Sequence, residues 1–155
     1  MDIETLVKNG LQEGGLLDLE NRKIGTSGAQ ALAKLEALSQ VSRLELGDND
    51  IGDEGVAALA ESPHVSNLKI LNLKSNNITS QGAQFIAQSK YLAELDQLVM
   101  KFNQIGEEGA RHLAASESFP KLTTLDLFRN QMGPEGASAI KRSKIFKQLS
   151  RVRLD

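Results

Sequence analysis

The stretch Leu44–Gly55, LELGDNDIGDEG, decides the fold, because close copies of it recur along the chain. The copies are LDLENRKIGTSGA, LNLKSNNITSQGA, LVMKFNQIGEEGA and LDLFRNQMGPEGA. When they are aligned, a constant step of 27 residues relates one apolar column: Leu19, Leu46, Leu73, Met100 and Leu127, with Leu154 joining at the end of the chain. A fixed period of this length predicts an array of repeats, each of which is one supersecondary unit.

Other apolar columns keep the same step. One is Leu17, Leu44, Leu71, Leu98, Leu125 and Val152; others are Ile24, Ile51, Ile78, Ile105 and Met132; Leu32, Leu59, Ile86, Leu113 and Ile140; Leu38, Val65, Leu92, Phe119 and Phe146; and Val41, Leu68, Leu95, Leu122 and Leu149. Within a unit the L-x-L piece alternates apolar and polar residues, which is typical of a short strand with one buried face. The segment that follows has helical spacing. Since such a strand and helix cannot bury their apolar faces alone, neighbouring units must stack.

The full pattern, L-x-x-L-x-L-x-x-N-x-I-G-x-x-G-A-x-x-L-A, resembles the leucine-rich repeat in its ribonuclease-inhibitor-like class, over residues 14–155. The resemblance implies an α/β solenoid, a right-handed βα superhelix in a short horseshoe arc, with a parallel sheet on the concave side and helices on the convex side. We expect strands near residues 16–19, 43–46, 70–73, 97–100, 124–127 and 151–154. Residues 1–15 are predicted to form an N-terminal cap, helical from about Ile3 to Leu11, and residues 16–155 five full units and a terminal strand.

Several recurring polar residues fit the scaffold. Asn49, Asn76, Asn103 and Asn130 form a column where a buried amide can satisfy backbone groups as the chain turns out of the strand. Gly28, Gly55, Gly82, Gly109 and Gly136 stand at helix starts, where a larger side chain would crowd the neighbouring turn. The acids of the first helical turns complement the positive end of the helix dipole.

The aspartates of the opening stretch do not match a metal site. A calcium loop that began at Asp48 would need a glutamate at its twelfth position, where the sequence has Leu59. The G-x-x-G pieces lack the basic residues expected of a phosphate site. His64 and His112 are far apart in sequence, and the chain has no cysteine. We therefore expect no catalytic, cofactor or metal site, and no enzyme.

The residues that the repeat leaves free lie on the sheet face that points away from the helices. There the first two units are acidic (Asp18, Glu20, Glu45, Asp48), whereas the later units are basic (Lys74, Lys101, Arg129, Arg151, Arg153). Exposed aromatic residues beside arginine are typical of a binding hot spot, although Phe102 or Phe128 could instead pack along its neighbour. The predicted protein-binding residues are Ile70, Asn72, Lys74, Gln97, Val99, Lys101, Phe102, Asp126, Phe128, Arg129, Arg151 and Arg153.

The sequence thus predicts a non-catalytic module that binds a folded protein in its concave face, as inhibitor or scaffold, and that is monomeric alone. The partner surface should have an apolar centre and an acidic rim. A formal net charge of −2 without a basic run argues against nucleic acid and membranes. With no secretory signal expected, the predicted location is cytoplasmic, or a host cytosol if the protein is a bacterial effector. Two alternatives stay open: a small-GTPase regulator, similar to the Ran GTPase-activating proteins, or an assembly element that pairs through its last strand.

Overall fold

Strands of three residues form one parallel sheet in chain order. The computed structural model describes residues 2–154, apart from the side chain of Phe146. Within these residues the sheet contains β1 Leu16–Asp18, β2 Arg43–Glu45, β3 Ile70–Asn72, β4 Gln97–Val99, β5 Thr124–Asp126 and β6 Arg151–Arg153. Each strand pairs with the next at equivalent repeat positions, so that Leu17 lies opposite Leu44. The predicted parallel sheet is confirmed, with each strand one residue shorter than expected.

Helices follow each of the first five strands, as the pattern predicts. The α-helices are α1 Ile3–Gly10, α2 Gly25–Ala33, α3 Gly52–Ala60, α4 Ser80–Ala87, α5 Gly106–Ala114, α6 Gly133–Lys141 and α7 Lys144–Gln148. Helices α2 to α6 pack side by side in chain order. The first two return loops contain 3₁₀ turns, Glu36–Gln40 and Pro63–Val65, and the short α7 occupies the last return loop. The array is therefore a solenoid of strand and helix units.

Helix α1 packs against α2 and β1, the first elements of the solenoid. Its Val7 is buried, and the Asp2 carboxylate caps it by accepting a hydrogen bond from the backbone N–H of Thr5 at 2.8 Å. The same bond lowers the pKa of Asp2. After the helix, Leu11 forms an antiparallel bridge with Leu17. The helix lies where a cap was expected, while Met1 and Asp155, the outer ends of the two predicted regions, lie outside the described residues.

The apolar columns fill the space between sheet and helices. Buried members include Leu17, Leu44, Leu71, Leu98 and Leu125, each exposed by 2% or less. Burial declines in the last unit, where Leu149, Val152 and Leu154 are only partly buried, because no further unit stacks on them within residues 2–154. Leucine side chains of this kind each contribute roughly 1.5–3 kcal/mol when fully buried, so stacked units supply most of the stability.

The asparagine column forms a ladder of hydrogen bonds between units. Asn76 is fully buried, and its Oδ1 accepts bonds from the backbone N–H groups of Asn49 at 3.1 Å and Ile51 at 3.3 Å. Its Nδ2 donates to the carbonyl oxygens of Leu46 at 2.9 Å and Lys74 at 3.0 Å. Asn49 and Asn103 repeat this arrangement with their own neighbours. The predicted scaffold role of these amides is confirmed.

The glycines at the fourth position of the helices are required by close packing. A Cβ atom on Gly109 would lie 2.3 Å from Cγ2 of Ile105 and 3.2 Å from Cβ of Ala83 on the preceding helix. The same crowding occurs at Gly55, where Ile51 and Ala29 are the neighbours. Small residues here let consecutive helices approach each other.

Candidate functional site

The concave face of the sheet carries the residues that lie between the buried leucines. Because side chains alternate along a strand, the residues on either side of each buried leucine point away from the helices. On β3, β4 and β5 these outer positions are half-buried. The backbone then turns out of each strand over two further outward positions, which are Lys101 and Phe102 after β4 and Phe128 and Arg129 after β5.

Two phenylalanine rings from neighbouring units meet at this turn. The centroids of Phe102 and Phe128 are 5.9 Å apart with an interplanar angle of 74°, an edge-to-face contact. Phe102 is 46% exposed, the one large apolar side chain so exposed among the described residues. The two rings therefore do pack against each other, as the alternative interpretation expects. Part of the Phe102 ring nevertheless remains an exposed apolar surface.

Cations lie against both rings. The Arg153 guanidinium carbon is 4.4 Å from the Phe128 centroid and that of Arg129 is 5.3 Å away. The Lys101 ammonium is 5.8 Å from the centroid of Phe102. Cation–π contacts of this kind contribute about 0.5–1 kcal/mol at exposed sites. We call these five residues the aromatic cluster, and they were all predicted as binding residues.

The backbone under the cluster is left-handed. Phe102 and Arg129 both have φ of 60°, and the equivalent Asn21, Asp48 and Ser75 have φ between 53° and 58°. Asparagine and aspartate tolerate this region best, whereas a bulky side chain there is uncommon. The repeat therefore imposes the conformation on every unit. Placing an exposed phenylalanine at this position costs stability that an asparagine would not.

Three cations of the later units have no acidic partner in the structure. Lys101, Arg129 and Arg151 make no ion pair with any carboxylate of residues 2–154. Arg153 lies 3.8 Å from a carboxylate oxygen of Asp126, and Asp126 also accepts the backbone N–H of Phe128 at 3.1 Å. Most of the positive charge on the later half of the concave face is thus not paired with a carboxylate of residues 2–154.

Lys74, another of the predicted binding residues, turns away from the aromatic cluster. Its ammonium lies 2.6 Å from Glu20 and 3.6 Å from Asp48, on the two preceding units. The hydrogen bond to Glu20, more than any other contact, raises the pKa of Lys74. A long flexible side chain turned towards the acidic units gains both carboxylates, whereas the equivalent residue on the next unit in the other direction is Lys101, a like charge.

The remaining predicted residues frame the cluster. Ile70, Gln97 and Val99 are half-buried on adjacent strands. Asn72 turns towards the second unit, and its Nδ2 donates to Glu45 at 2.8 Å. Arg151 is exposed at the start of β6. The structure therefore brings Val99 and the cluster together, while Lys74 and Asn72 belong to the acidic side.

The aspartates of Leu44–Gly55 have structural roles. Asp48 and Asp50 occupy left-handed positions, with φ of 58° and 54°, and Asp50 accepts a hydrogen bond from Asn77. Asp53 accepts the backbone N–H groups of Thr79 and Gly82 and the Thr79 hydroxyl, and so caps helix α4 of the next unit. Among the described residues no group of histidine, aspartate or glutamate is arranged to hold a metal ion.

Sequence reasoning missed two features. Helices α2, α3, α5 and α6 each begin with a glycine, whereas α4 is capped by Asp53 of the preceding unit. The sequence signal was Thr79, which stands where the other units have that glycine. The second feature is a serine ladder in which Ser62, Ser89 and Ser116 each donate a hydroxyl hydrogen bond to a carbonyl at the end of the preceding helix, at 2.6, 2.7 and 2.7 Å. A column of serines at the 27-residue step could have revealed it.

Comparisons with known proteins agree with this architecture. A family model described as Leucine Rich repeat matches residues 41–60, 64–87 and 120–141. Among solved structures, "Leiomodin-1 Actin-Binding Site 2 (ABS2)" is similar, with a TM-score of 0.62 and 18% identity over 94% of this chain and 88% of that chain. A search of curated proteins found no match. In the described residues no helix is long and apolar enough to span a membrane. Together, the matched segments and the stacked units show that this chain has the fold of a leucine-rich repeat solenoid.

Proposed function

We propose that this protein is a non-catalytic binding module that holds a folded protein partner on its concave face, acting as an inhibitor or scaffold. The observation that carries the proposal is Phe102, an aromatic side chain that is 46% exposed on left-handed backbone. Strained residues tend to cluster at functional sites. An exposed aromatic flanked by arginines also has the composition of an interface hot spot.

The fold neighbour supports the class of function and not the partner. Leiomodin-1 uses the similar structure as an actin-binding site, so this fold presents a protein-binding surface in at least one other protein. At 18% identity the likeness extends to the fold alone. We further propose that the repeats belong to the ribonuclease-inhibitor-like class, and that the protein works as a monomer in the cytoplasm, or in a host cytosol if its source is bacterial.

Site-specific photo-crosslinking in an extract of the source organism tests this function. A photoreactive phenylalanine analogue at Val99 reports on the concave face, and one at Gln81, exposed on α4, is the control for the convex side. We expect the concave probe to capture one protein in stoichiometric yield and the convex probe to capture none. Phe102→Ala combined with Phe128→Ala should abolish that capture while the protein keeps its fold by circular dichroism. Capture from the convex position alone would contradict the proposal.

A small-GTPase regulator is the second candidate, and the unpaired arginines favour it. Arg129 and Arg151 are exposed and free of carboxylate partners within residues 2–154, as an arginine supplied in trans to a GTPase must be. A GTP-hydrolysis assay against a panel of small GTPases separates the two functions. Stimulation of about 10³-fold or more that Arg129→Ala or Arg151→Ala removes would favour the regulator.

A further inference from the structure

In the first half of the concave face the cations are paired with acids of the same face. The Lys74 side chain extends from the third unit to Glu20 on the first, and it passes over Gly47 on the second. A Cβ atom on Gly47 would lie 2.7 Å from Cε and 2.9 Å from Cγ of Lys74. Lys74 therefore covers the second unit at this position, because glycine leaves room for it.

Arg43 and Glu45 are likewise paired within this half. Glu45 is only 9% exposed, and both of its oxygens are engaged. One accepts from Nε of Arg43 at 2.7 Å and the other from Nδ2 of Asn72 at 2.8 Å. A partner that approached β1 to β3 would have to break these bonds to gain new ones.

The second half differs because Lys101, Arg129 and Arg151 have no carboxylate partner within residues 2–154 and its rings are partly free. After β4 the order is Lys101 then Phe102, and after β5 it is Phe128 then Arg129. Each cation therefore lies beside a phenylalanine ring both on its own unit and on the neighbouring unit. A guanidinium that lies against a ring keeps N–H groups that can bind a carboxylate in a bidentate manner. A ligand could therefore make an apolar contact with Phe102 and ionic contacts with Lys101 on one side and Arg129 on the other.

The occupied faces of the two rings argue against nucleic acid as the ligand. Single-stranded nucleic acids bind by stacking bases on open aromatic faces. In this protein two guanidinium groups lie within 5.3 Å of the Phe128 centroid, an ammonium lies near Phe102, and the two rings contact each other edge to face. A base would have to displace these contacts, whereas carboxylates add to them.

Resting on the proposed binding function, we infer that the ligand is an acidic protein segment that places an apolar side chain on Phe102 and carboxylates on Lys101 and Arg129. Lys74, held by Glu20 across Gly47, confines the footprint to β4–β6. Since adjacent strands lie about 4.8 Å apart and an extended peptide rises about 3.3 Å per residue, the carboxylates should flank the apolar residue within roughly three positions.

Selection from a random 12-residue peptide library displayed on phage tests this inference with no known partner. Peptides that bind the wild-type protein should carry aspartate or glutamate on both sides of a leucine, isoleucine, phenylalanine or tryptophan. Each selected sequence is then synthesised and titrated into isotope-labelled protein. Backbone resonance shifts should cluster at β4–β6 and spare β1–β3. Lys101→Glu with Arg129→Glu should weaken binding at least tenfold, whereas Arg142→Glu, an exposed arginine at the end of α6, should not.

Each contrary outcome has a distinct meaning. Basic or neutral peptides that map to the concave face, or no enriched peptide at all, would overturn the acidic ligand and leave the crosslinking test of the proposed function unaffected. Acidic peptides that shift β1–β3 would overturn the confinement by Lys74. Peptides that map to the convex helices would overturn both proposals. Tighter binding of a twelve-nucleotide oligouridylate, with shifts at Phe102 and Phe128, would assign the surface to single-stranded RNA instead.

Discussion

The two halves of the concave face stand on the same scaffold and use it differently. β1–β3 and β4–β6 share strand length and register, the asparagine ladder runs through both halves, and a left-handed turn follows each of β1 to β5. In the first half Lys74 and Arg43 pair with acids of their own face. In the second half Lys101 and Arg129 contact phenylalanine rings. The geometry is constant along the solenoid, and only the identity of the free side chains decides whether a charge is used internally or offered to a partner.

If the scaffold is the same in both halves, removing an asparagine of the ladder should lower the free energy of unfolding by the same amount in each half. Asn76→Ala in the first half and Asn103→Ala in the second each strip hydrogen bonds from buried backbone groups. We expect each to lower the free energy of unfolding by about 1–3 kcal/mol, measured by urea denaturation. Asn67→Ala, which removes one exposed hydrogen bond, is the control and should cost less. A large cost in one half alone would contradict the shared scaffold.

A smaller change in the free energy of unfolding should distinguish the paired cation of the first half from an unpaired cation of the second. Lys74→Met removes the ion pairs with Glu20 and Asp48, while Arg151→Met removes a cation that has no carboxylate partner within residues 2–154. The Lys74 side chain is 26% and the Glu20 side chain 38% exposed, so we expect a loss of about 0.2–1 kcal/mol for the first change. We expect almost none for the second. Equal losses would show that the first half is not specially paired.

The ion pair between Lys74 and Glu20 should make the free energy of unfolding depend on pH. Because Glu20 raises the pKa of Lys74 in the folded state, the unfolded lysine loses its proton at a lower pH than the folded one. The stabilisation is therefore complete below the pKa of the unfolded lysine and disappears as the pH rises through the folded pKa. The difference in unfolding free energy between wild type and Lys74→Met should be constant between about pH 7 and pH 9 and shrink above about pH 10.

How far the sequence predicts this molecule depends on how local each feature is. The Asn76 ladder, the buried leucines and the parallel sheet follow from a period that every unit repeats, so the pattern contains them. The direction of Lys74 does not, because a flexible side chain chooses among neighbours on several units, and the choice depended on Gly47 lacking a side chain. The left-handed turn under Phe102 was foreshadowed by Asn21, Asp48 and Ser75 in the same column. Asparagine, aspartate and serine in one column at the end of a strand indicate a positive φ at that position.

The left-handed turn supplies a prediction in which stability and binding diverge. Phe102→Asn replaces a bulky residue at φ of 60° with one that tolerates this region. The gain of about 1 kcal/mol offsets the lost ring contact with Phe128, which contributes about 0.5–1.5 kcal/mol. We expect the unfolding free energy to change by less than about 0.5 kcal/mol, measured by urea denaturation, while binding of an acidic peptide is lost. A drop of several kcal/mol would mean that Phe102 belongs to the core.

The smallest effect is expected for Asp50→Asn, two residues after the Asp48 at which a calcium loop would begin. Asp50 has φ of 54° and accepts a hydrogen bond from Asn77, so its roles are a backbone conformation and an oxygen acceptor. Asparagine serves both roles without a negative charge. Asp50→Asn should therefore change the unfolding free energy by less than about 0.5 kcal/mol, whereas Asp50→Ala, which lacks the acceptor and strains the left-handed turn, should cost about 1 kcal/mol. Millimolar calcium should leave the melting temperature of the wild type and both variants unchanged in differential scanning fluorimetry. A rise in the wild type that Asp50→Asn abolishes would show that the carboxylate charge binds metal and that the conformational explanation is incomplete.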